Sequence, residues 1–138
     1  MKLFIDTNVI LDVLLHRDPH YEQSVRVWGF VESEKAQGFL AAVSFPTIYY
    51  IVRKAMGAQI AYKVLRAVRD VFHPVVCDER MISQAIDTHA DDFEDTVQLL
   101  SAARAGAAFI ITRNPAHFKN SNVTVLSPAE FIAAHARP

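Results

Sequence analysis

The stretch LFIDTNVI, residues 3–10, decides the fold because a strand pattern changes into a helix pattern at one acidic residue. The apolar residues 3–5 predict a short buried strand that stops at Asp6. Apolar residues recur at helical spacing over residues 9–14, and Asn8 stands where a helix cap is expected. A buried strand leading directly into a helix is the start of a β-α-β unit, so the pattern indicates an α/β fold.

Short apolar runs alternate with longer helical patterns along the rest of the chain. One predicted helix runs from about Pro46 to Met56 and ends at Gly57, and another covers residues 58–70. Strands separated by helices predict a parallel sheet, here of four to five strands with helices on both faces. The predicted strands after the first one are residues 39–43, 73–76, 108–112 and 123–126.

The composition is that of a globular protein. The chain has 138 residues, of which 51% are hydrophobic and 21% charged, and we expect a single domain over residues 1–138. Cys77 is the lone cysteine, which excludes an internal disulfide. No leader pattern or membrane-spanning apolar stretch is visible, so we expect a cytoplasmic protein without membrane contact. The net charge of -1 means that any nucleic-acid surface must be a local patch.

Asp6 is a candidate metal ligand. It ends a predicted buried strand, and ligands of parallel α/β sheets bind beyond the carboxyl ends of the strands. A charge at the end of a buried strand also needs a partner. The alternative is an ordinary turn or cap residue, because Asp favours such positions.

Asp92 and Asp95 form a second acidic feature, three residues apart and therefore on one face of a predicted helix. In one interpretation Asp92 caps this helix and Asp95 completes a capping box, a role that Asp91 and Glu94 fit equally. In the other, the carboxylates face a cleft. The two interpretations are compatible if one carboxylate caps the helix while another faces the cleft. Clustered carboxylates need a cation, and their oxygens suit Mg²⁺ or Mn²⁺.

Polar residues follow a late predicted strand. Thr112 and Asn114 are common turn formers, but they are also able to orient water or contact a metal weakly. The six histidines show no zinc-ligand spacing with one another or with Cys77.

The chain resembles the PIN domain family in segments that occur in the family's order. FIDTNV at residues 4–9 resembles the opening motif of the family. Residues 92–103 and 110–114 resemble its closing half, and residues 126–132 resemble its ending. The resemblance covers essentially the whole chain and is carried by the ordered set rather than by any one motif.

This resemblance implies a fold, an activity and a site. It implies a Mg²⁺- or Mn²⁺-dependent ribonuclease, and among small bacterial members a VapC-like toxin paired with an antitoxin. Asp6 matches the first family carboxylate and Asp95 the third, while Asp92 is an accessory acid.

Two of the four acidic positions of the family are neutral here. Thr47 stands where the family has a Glu, or Tyr50 does in a shifted register, and Asn114 replaces the fourth acid. His117 stands where another acid is common. Each missing carboxylate removes a charge whose interaction with a cation about 4 Å away is worth several kcal/mol. One Mg²⁺ is therefore easier to hold than two.

The sequence supports two functions. The leading hypothesis is a metal-dependent endoribonuclease with its metal on Asp6, Asp95 and Asp92, and with Asn114 completing the catalytic group. The alternative is a catalytically weakened PIN-like module that binds RNA or a partner protein without cleavage. A phosphatase of the haloacid dehalogenase type is disfavoured because it needs an acid at the position of Asn8.

Candidate contacts to RNA and to proteins lie outside the acids. The substrate-binding candidates are Asn8, Arg53, Thr112 and Arg113. Lys63, Arg66 and Arg69 form a stripe on one helix that we interpret as a solvated face. The early helices carry four aromatic residues, which predict a homodimer or partner contact unless the core takes them up. These four are Trp28, Phe45, Tyr49 and Tyr50.

Overall fold

A computed structural model describes residues 1–136 and contains a five-stranded parallel sheet. The strands are β1 (Lys2–Ile5), β2 (Gln37–Ala41), β3 (Phe72–Val75), β4 (Phe109–Ile111) and β5 (Thr124–Leu126). Their order across the sheet is β3-β2-β1-β4-β5, and every neighbouring pair is parallel. The first strand of the chain therefore lies at the centre of the sheet.

Helices connect the strands. They are α1 (Thr7–Leu14), α2 (Tyr21–Glu32), α3 (Ser44–Met56), α4 (Ala58–Val71), α5 (Glu79–Thr88), α6 (Phe93–Ala105) and α7 (Pro128–His135). A short 3-10 helix, Pro115–Phe118, follows β4. This arrangement confirms the predicted α/β fold with a parallel sheet.

The two faces of the sheet pack against different helices. Side chains alternate along β1, so Leu3 and Ile5 join one core cluster and Phe4 joins another. The first cluster also contains residues of α1, α2, α3, α4 and α7, whereas the second contains Ala102 of α6. Both faces are therefore covered, which is why the strands read as continuous apolar runs.

Helix boundaries follow local signals at most of the predicted places. Gly57 and Gly106 end α3 and α6 with positive φ angles of 89° and 68°, a region that favours glycine. The Asp78 and Asp92 side chains cap α5 and α6. The prediction that Asn8 caps α1 is wrong, because α1 starts at Thr7 and Asp6 occupies the N-cap position.

The aromatic residues of the early helices are mostly taken up by the fold. The Trp28 ring packs edge-on against Phe72 at 5.0 Å, and Phe45 and Tyr49 pack against the core. Tyr50 alone of the four predicted rings stays largely exposed, at 65%. Within residues 1–136, no helix combines the length and apolar character needed to cross a membrane.

Candidate active site

The pairing of β1 with β4 brings Asp6 and Thr112 side by side at the carboxyl edge of the sheet. Ile5 is paired with Ile111, and the Asp6 N–H donates to the Ile111 carbonyl oxygen at 2.9 Å. The Thr112 hydroxyl donates to Oδ2 of Asp6 at 2.7 Å. It also accepts a hydrogen bond from the Asn114 N–H at 3.0 Å. Thr112 therefore positions the Asp6 carboxylate and the start of the loop that holds Asn114.

Asp6 is a buried carboxylate, with 7% of its surface exposed. Burial raises its pKa above the ordinary value, because the charged form loses contact with water. The Thr112 hydrogen bond, the charge of His117 and the N–H groups of Asn8 and Thr7 act in the opposite direction. A cation beside Asp6 stabilises the ionised form that burial disfavours.

Asp95 faces the same region from the first turn of α6. Its side chain is 28% exposed, and Oδ1 lies 3.9 Å from Nδ1 of His117 on the 3-10 helix. Burial raises the pKa of Asp95, the charge of His117 lowers it, and the negative charges of Asp92 and Asp6 raise it further. The charge of Asp6 acts on Asp95, and the charge of His117 acts on both, so the two carboxylates share one electrostatic environment.

Asp92 caps α6, which was one of the two roles predicted for it. Its Oδ1 accepts a 2.9 Å hydrogen bond from the Asp95 N–H, which satisfies a free donor at the start of α6. A cleft of about 360 Å³ runs past this helix start. Its lining residues include Asp91, Asp92, Asp95, His117 and Lys119.

The donor set is small. Among residues 1–136, no three His, Cys, Asp or Glu side chains lie close enough together to hold one metal ion. Asp6 and Asp95 remain as a pair of carboxylates with raised pKa, and one or two carboxylates suffice for Mg²⁺ when water completes its shell. The residues therefore fit a single hard cation on Asp6 and Asp95, with Asp92 beside them.

A buried chain of neutral hydrogen bonds supports the site from α3. The hydroxyls of Thr7 and Ser44 lie 2.7 Å apart, and the Gln98 amide donates to the Ser44 hydroxyl at 3.1 Å. This links the residue after Asp6 to a residue one turn beyond Asp95. Sequence reasoning missed Ser44 and Gln98, because no local pattern shows that distant polar residues meet in a core.

Asp12 was also missed. It is completely buried, and Arg113 donates to it from Nε at 2.8 Å and from a terminal nitrogen at 3.3 Å. Arg17 lies 3.8 Å from the same carboxylate. The guanidinium of Arg113, a predicted substrate contact, is therefore used to pair a buried charge and to tie the end of β4 to α1.

The other predicted contact residues lie at different distances from the site. Asn8 is half-buried in the first turn of α1, directly after Asp6 and Thr7. Arg53 is exposed in the last turn of α3, at the opposite end of that helix from Ser44. The structure therefore places Asn8 beside the carboxylates and Arg53 away from them.

Two residues of α3 are candidates for the position where the family has an acid. Thr47 is three residues beyond Ser44, and Tyr50 is three residues beyond Thr47, so these positions follow one another along α3 at i, i+3 spacing. Thr47 is exposed in the first turn of the helix. Both alignments, with Thr47 or with Tyr50 at the position of the family's acid, stay predictions.

Comparison with known proteins shows what the whole chain is similar to. The model of the family described as PIN domain matches residues 2–116. "Ribonuclease VapC1" of Aquifex aeolicus (strain VF5) is 25% identical over 135 residues, which cover 94% of this chain and 92% of that protein.

Two solved structures share the fold. A chain from the crystal structure of "VapBC2 from Rickettsia felis bound to a DNA fragment from their promoter" superposes with a TM-score of 0.65 at 12% identity. One from the crystal structure of "FitAcB from Neisseria gonorrhoeae" gives a TM-score of 0.63 at 17% identity. Each superposition includes 92% of this chain and 98% of the other chain.

Proposed function

The chain belongs to the PIN domain family, and on that premise we propose that it is a Mg²⁺- or Mn²⁺-dependent endoribonuclease that hydrolyses phosphodiester bonds of RNA. The observation that carries the proposal is the juxtaposition of Asp6 and Asp95. These two carboxylates come from residues 89 positions apart, and burial raises the pKa of each. A bound divalent cation stabilises the ionised form of such a pair.

Each side chain of the site has a distinct task in this proposal. Asp6 and Asp95 would hold the cation, and Asp92 would lie beside them while it caps α6. A bound divalent cation acidifies water and draws negative charge from the attacked phosphate. Thr112 holds Asp6 in place, and Asn114 offers a neutral amide at the edge of the site.

His117 is the titratable side chain whose charge acts on both carboxylates. Its Nδ1 lies 3.9 Å from Asp95, and its positive charge stabilises the ionised forms of Asp95 and Asp6.

The biological setting is part of the same proposal. The relative named "Ribonuclease VapC1" supports a VapC-like toxin. We propose that this toxin acts in the cytoplasm and pairs with an antitoxin. The homodimer expected from the sequence stays a prediction. Sedimentation velocity at high micromolar concentration is the measurement that checks it.

The test combines metal binding with cleavage. We expect calorimetric titration with Mg²⁺ and with Mn²⁺ to show binding that Asp6→Asn removes, and we expect RNA cleavage to require the metal and to be lost in the same variant. Asp91→Asn is the matched control, since Asp91 is exposed at the mouth of the cleft and is not one of the two proposed ligands. Cleavage that survives both chelator and Asp6→Asn would exclude the proposed site.

One observation favours a second function, a PIN-like module that binds RNA or a protein without cleaving RNA. Within the described residues no third ligand side chain joins Asp6 and Asp95, and Asn114 and Thr47 supply no charge. A protein that binds RNA equally well with and without Asp6, and shows no metal-dependent cleavage, has this second function.

A further inference from the structure

Three tyrosines form a cluster on the hairpin of α3 and α4. The Tyr49 ring lies 5.6 Å from Tyr50 and 5.1 Å from Tyr62. Tyr49 packs against the core, whereas Tyr50 and Tyr62 are 65% and 55% exposed. The inner ring therefore supports two outer rings that present aromatic surface to solvent.

This hairpin is basic, although the chain as a whole is nearly neutral. Residues 44–71 contain five of the 14 Lys and Arg residues, with Asp70 as their only acid, although the whole chain has a net charge of -1. The five are Arg53, Lys54, Lys63, Arg66 and Arg69. Arg69 pairs with Asp70 at 3.4 Å between two exposed side chains, and Arg66 has no ion pair within residues 1–136.

An open groove joins Tyr62, the tyrosine of the cluster that lines it, to two arginines. It has a volume of about 480 Å³, and its walls include Phe45, Tyr62, Leu65, Arg66 and Arg69. The floor is mostly apolar, while the two guanidinium groups supply its charge. The stripe of Lys63, Arg66 and Arg69 is therefore more than a solvated helix face, because two of its members border an apolar groove.

One end of the groove lies at the start of α3, which contacts the residue after Asp6. Ala42, which follows β2 at the carboxyl edge of the sheet, lines the groove, and so does Phe45. Ser44 lies between these residues, and its hydroxyl is 2.7 Å from that of Thr7, the neighbour of Asp6. A strand passing Asp6 thus reaches the groove by crossing the start of α3.

We propose that the α3–α4 groove binds single-stranded RNA next to the cleavage site, with bases stacked on Tyr62 and Tyr50 and phosphates held by Arg66 and Arg69. The proposal rests on the proposed ribonuclease function, because the RNA is the substrate of that site. Single-stranded nucleic acid is commonly held by exposed aromatic rings beside a positive groove. Here the hairpin supplies both features.

The charge distribution favours RNA over a second copy of this chain or a protein partner. The cleft at Asp95 is lined by three Asp residues and one Lys, and Arg113 is paired with buried Asp12. The cleavage site therefore repels phosphate until a metal binds, and the substrate needs cations elsewhere. The hairpin supplies them along the path from Asp6.

The test measures the binding of a labelled single-stranded oligouridylate of about 12 nucleotides, a length that single-stranded sites commonly cover. Fluorescence anisotropy in chelator separates binding from cleavage. We expect Tyr62→Ala to weaken binding by about 5- to 150-fold, the range for the loss of one stacked base, and Tyr62→Phe to retain it because the ring remains. Tyr50→Ala should act in the same direction.

The arginines are tested through salt dependence. We expect the double variant Arg66→Gln and Arg69→Gln to flatten the slope of log affinity against log salt by about 0.7 for each phosphate that the variant no longer neutralises. The matched control is Arg26→Gln with Arg80→Gln, which neutralises two exposed cations on α2 and α5 and should leave affinity largely unchanged.

Kinetics separate this proposal from the proposed function. Groove variants should raise KM and leave kcat nearly unchanged, whereas Asp6→Asn should remove turnover. If the natural chain cleaves RNA and the groove variants bind it as well as the natural chain does, the groove proposal is overturned and the ribonuclease stands. If the groove variants weaken RNA binding but the natural chain does not cleave RNA, the groove proposal stands and the ribonuclease proposal is overturned.

Sedimentation of the same variants tests whether a second copy of the chain, rather than RNA, occupies the groove. If Tyr62→Ala converts a dimer into a monomer while RNA affinity stays the same, the groove belongs to a second copy of the chain and the proposal is overturned. Thermal melting of each variant confirms that it is folded. If Tyr62→Ala is not folded, Tyr50→Ala at the more exposed ring and the arginine double variant carry the test, since each is expected to weaken RNA binding.

Discussion

The Thr112 hydroxyl donates a 2.7 Å hydrogen bond to Oδ2 of Asp6, joining residues 106 positions apart in the sequence. The bond exists because β4 pairs in parallel with β1, the central strand, and both strands end at the same edge. It gives a buried carboxylate one fixed orientation. Asp95 and His117 then approach the same place from α6 and the 3-10 helix.

Ionised Asp6 should reduce stability when no cation is bound. Burial raises its folded-state pKa, so the folded protein holds this proton more tightly than the unfolded chain does. The contribution of Asp6 to the free energy of unfolding is therefore fully present below the unfolded-state pKa. It is lost as pH rises through the window up to the raised folded-state pKa.

Asp6→Asn should remove this loss, since its amide oxygen still accepts from Thr112. Thermal melting in chelator from about pH 3 to pH 7 compares the two proteins across the ordinary titration range of Asp. The melting temperature of the variant, relative to the natural chain, should rise with pH and then level off. A difference that does not change with pH contradicts a raised pKa.

Restoring a missing acid should strengthen the metal site. We expect Asn114→Asp to increase the melting shift caused by Mg²⁺, because an ionised oxygen binds a cation more strongly than a neutral carbonyl does. Without metal, the added charge should lower stability near neutral pH by repelling Asp6 and Asp95. Excess Mg²⁺ should reverse that loss, because it binds the folded state.

The control for this experiment is Asn122→Asp, the same chemical change at an exposed loop position. Thr47→Glu tests the alignment that puts Thr47 at the position of the family's acid and should act in the same direction as Asn114→Asp. If neither variant responds to Mg²⁺ more than the natural chain and the control do, positions 114 and 47 do not face the metal.

Breaking the buried ion pair should destabilise the fold strongly. Arg113→Gln leaves the fully buried Asp12 carboxylate with Arg17 at 3.8 Å as its remaining cation. We expect a loss of about 3–5 kcal/mol in the free energy of unfolding, measured with urea. Arg104→Gln, which breaks a solvent-exposed pair with Asp78, should cost much less. Equal losses at both positions would argue that burial of Asp12 is unimportant.

The hydroxyl of Ser44 should matter more than that of another buried serine. Ser44→Ala removes the partner of both Thr7 and Gln98, so we expect a loss of about 1–3 kcal/mol on urea unfolding. Ser24 is the matched control, because its buried Oγ has no hydrogen-bond partner within residues 1–136. Ser24→Ala should be neutral or stabilising. The opposite ranking would contradict a supporting role for Ser44.

Local sequence determined the elements of this protein and most of their ends. The change of apolar period at Asp6 predicts β1 and α1, and glycines at 57 and 106 predict two helix ends, because these signals act within a few residues. Asp92 likewise caps α6, as one of its two interpretations required. The acids at 6 and 95 were identified by their place at these ends and by their resemblance to family motifs.

Only the tertiary structure decided which of these ends meet. The register of β1 on β4 sets Thr112 against Asp6, and packing across the core brings Ser44 to Thr7 and Arg113 to Asp12. Such pairings depend on how two sheet faces bury their apolar side chains together, a condition that no local period contains. The same packing sets Phe45 of α3 and Pro74 of β3 against the face of α4 that carries Tyr62 and the arginines, where the helical pattern alone indicated a solvated face.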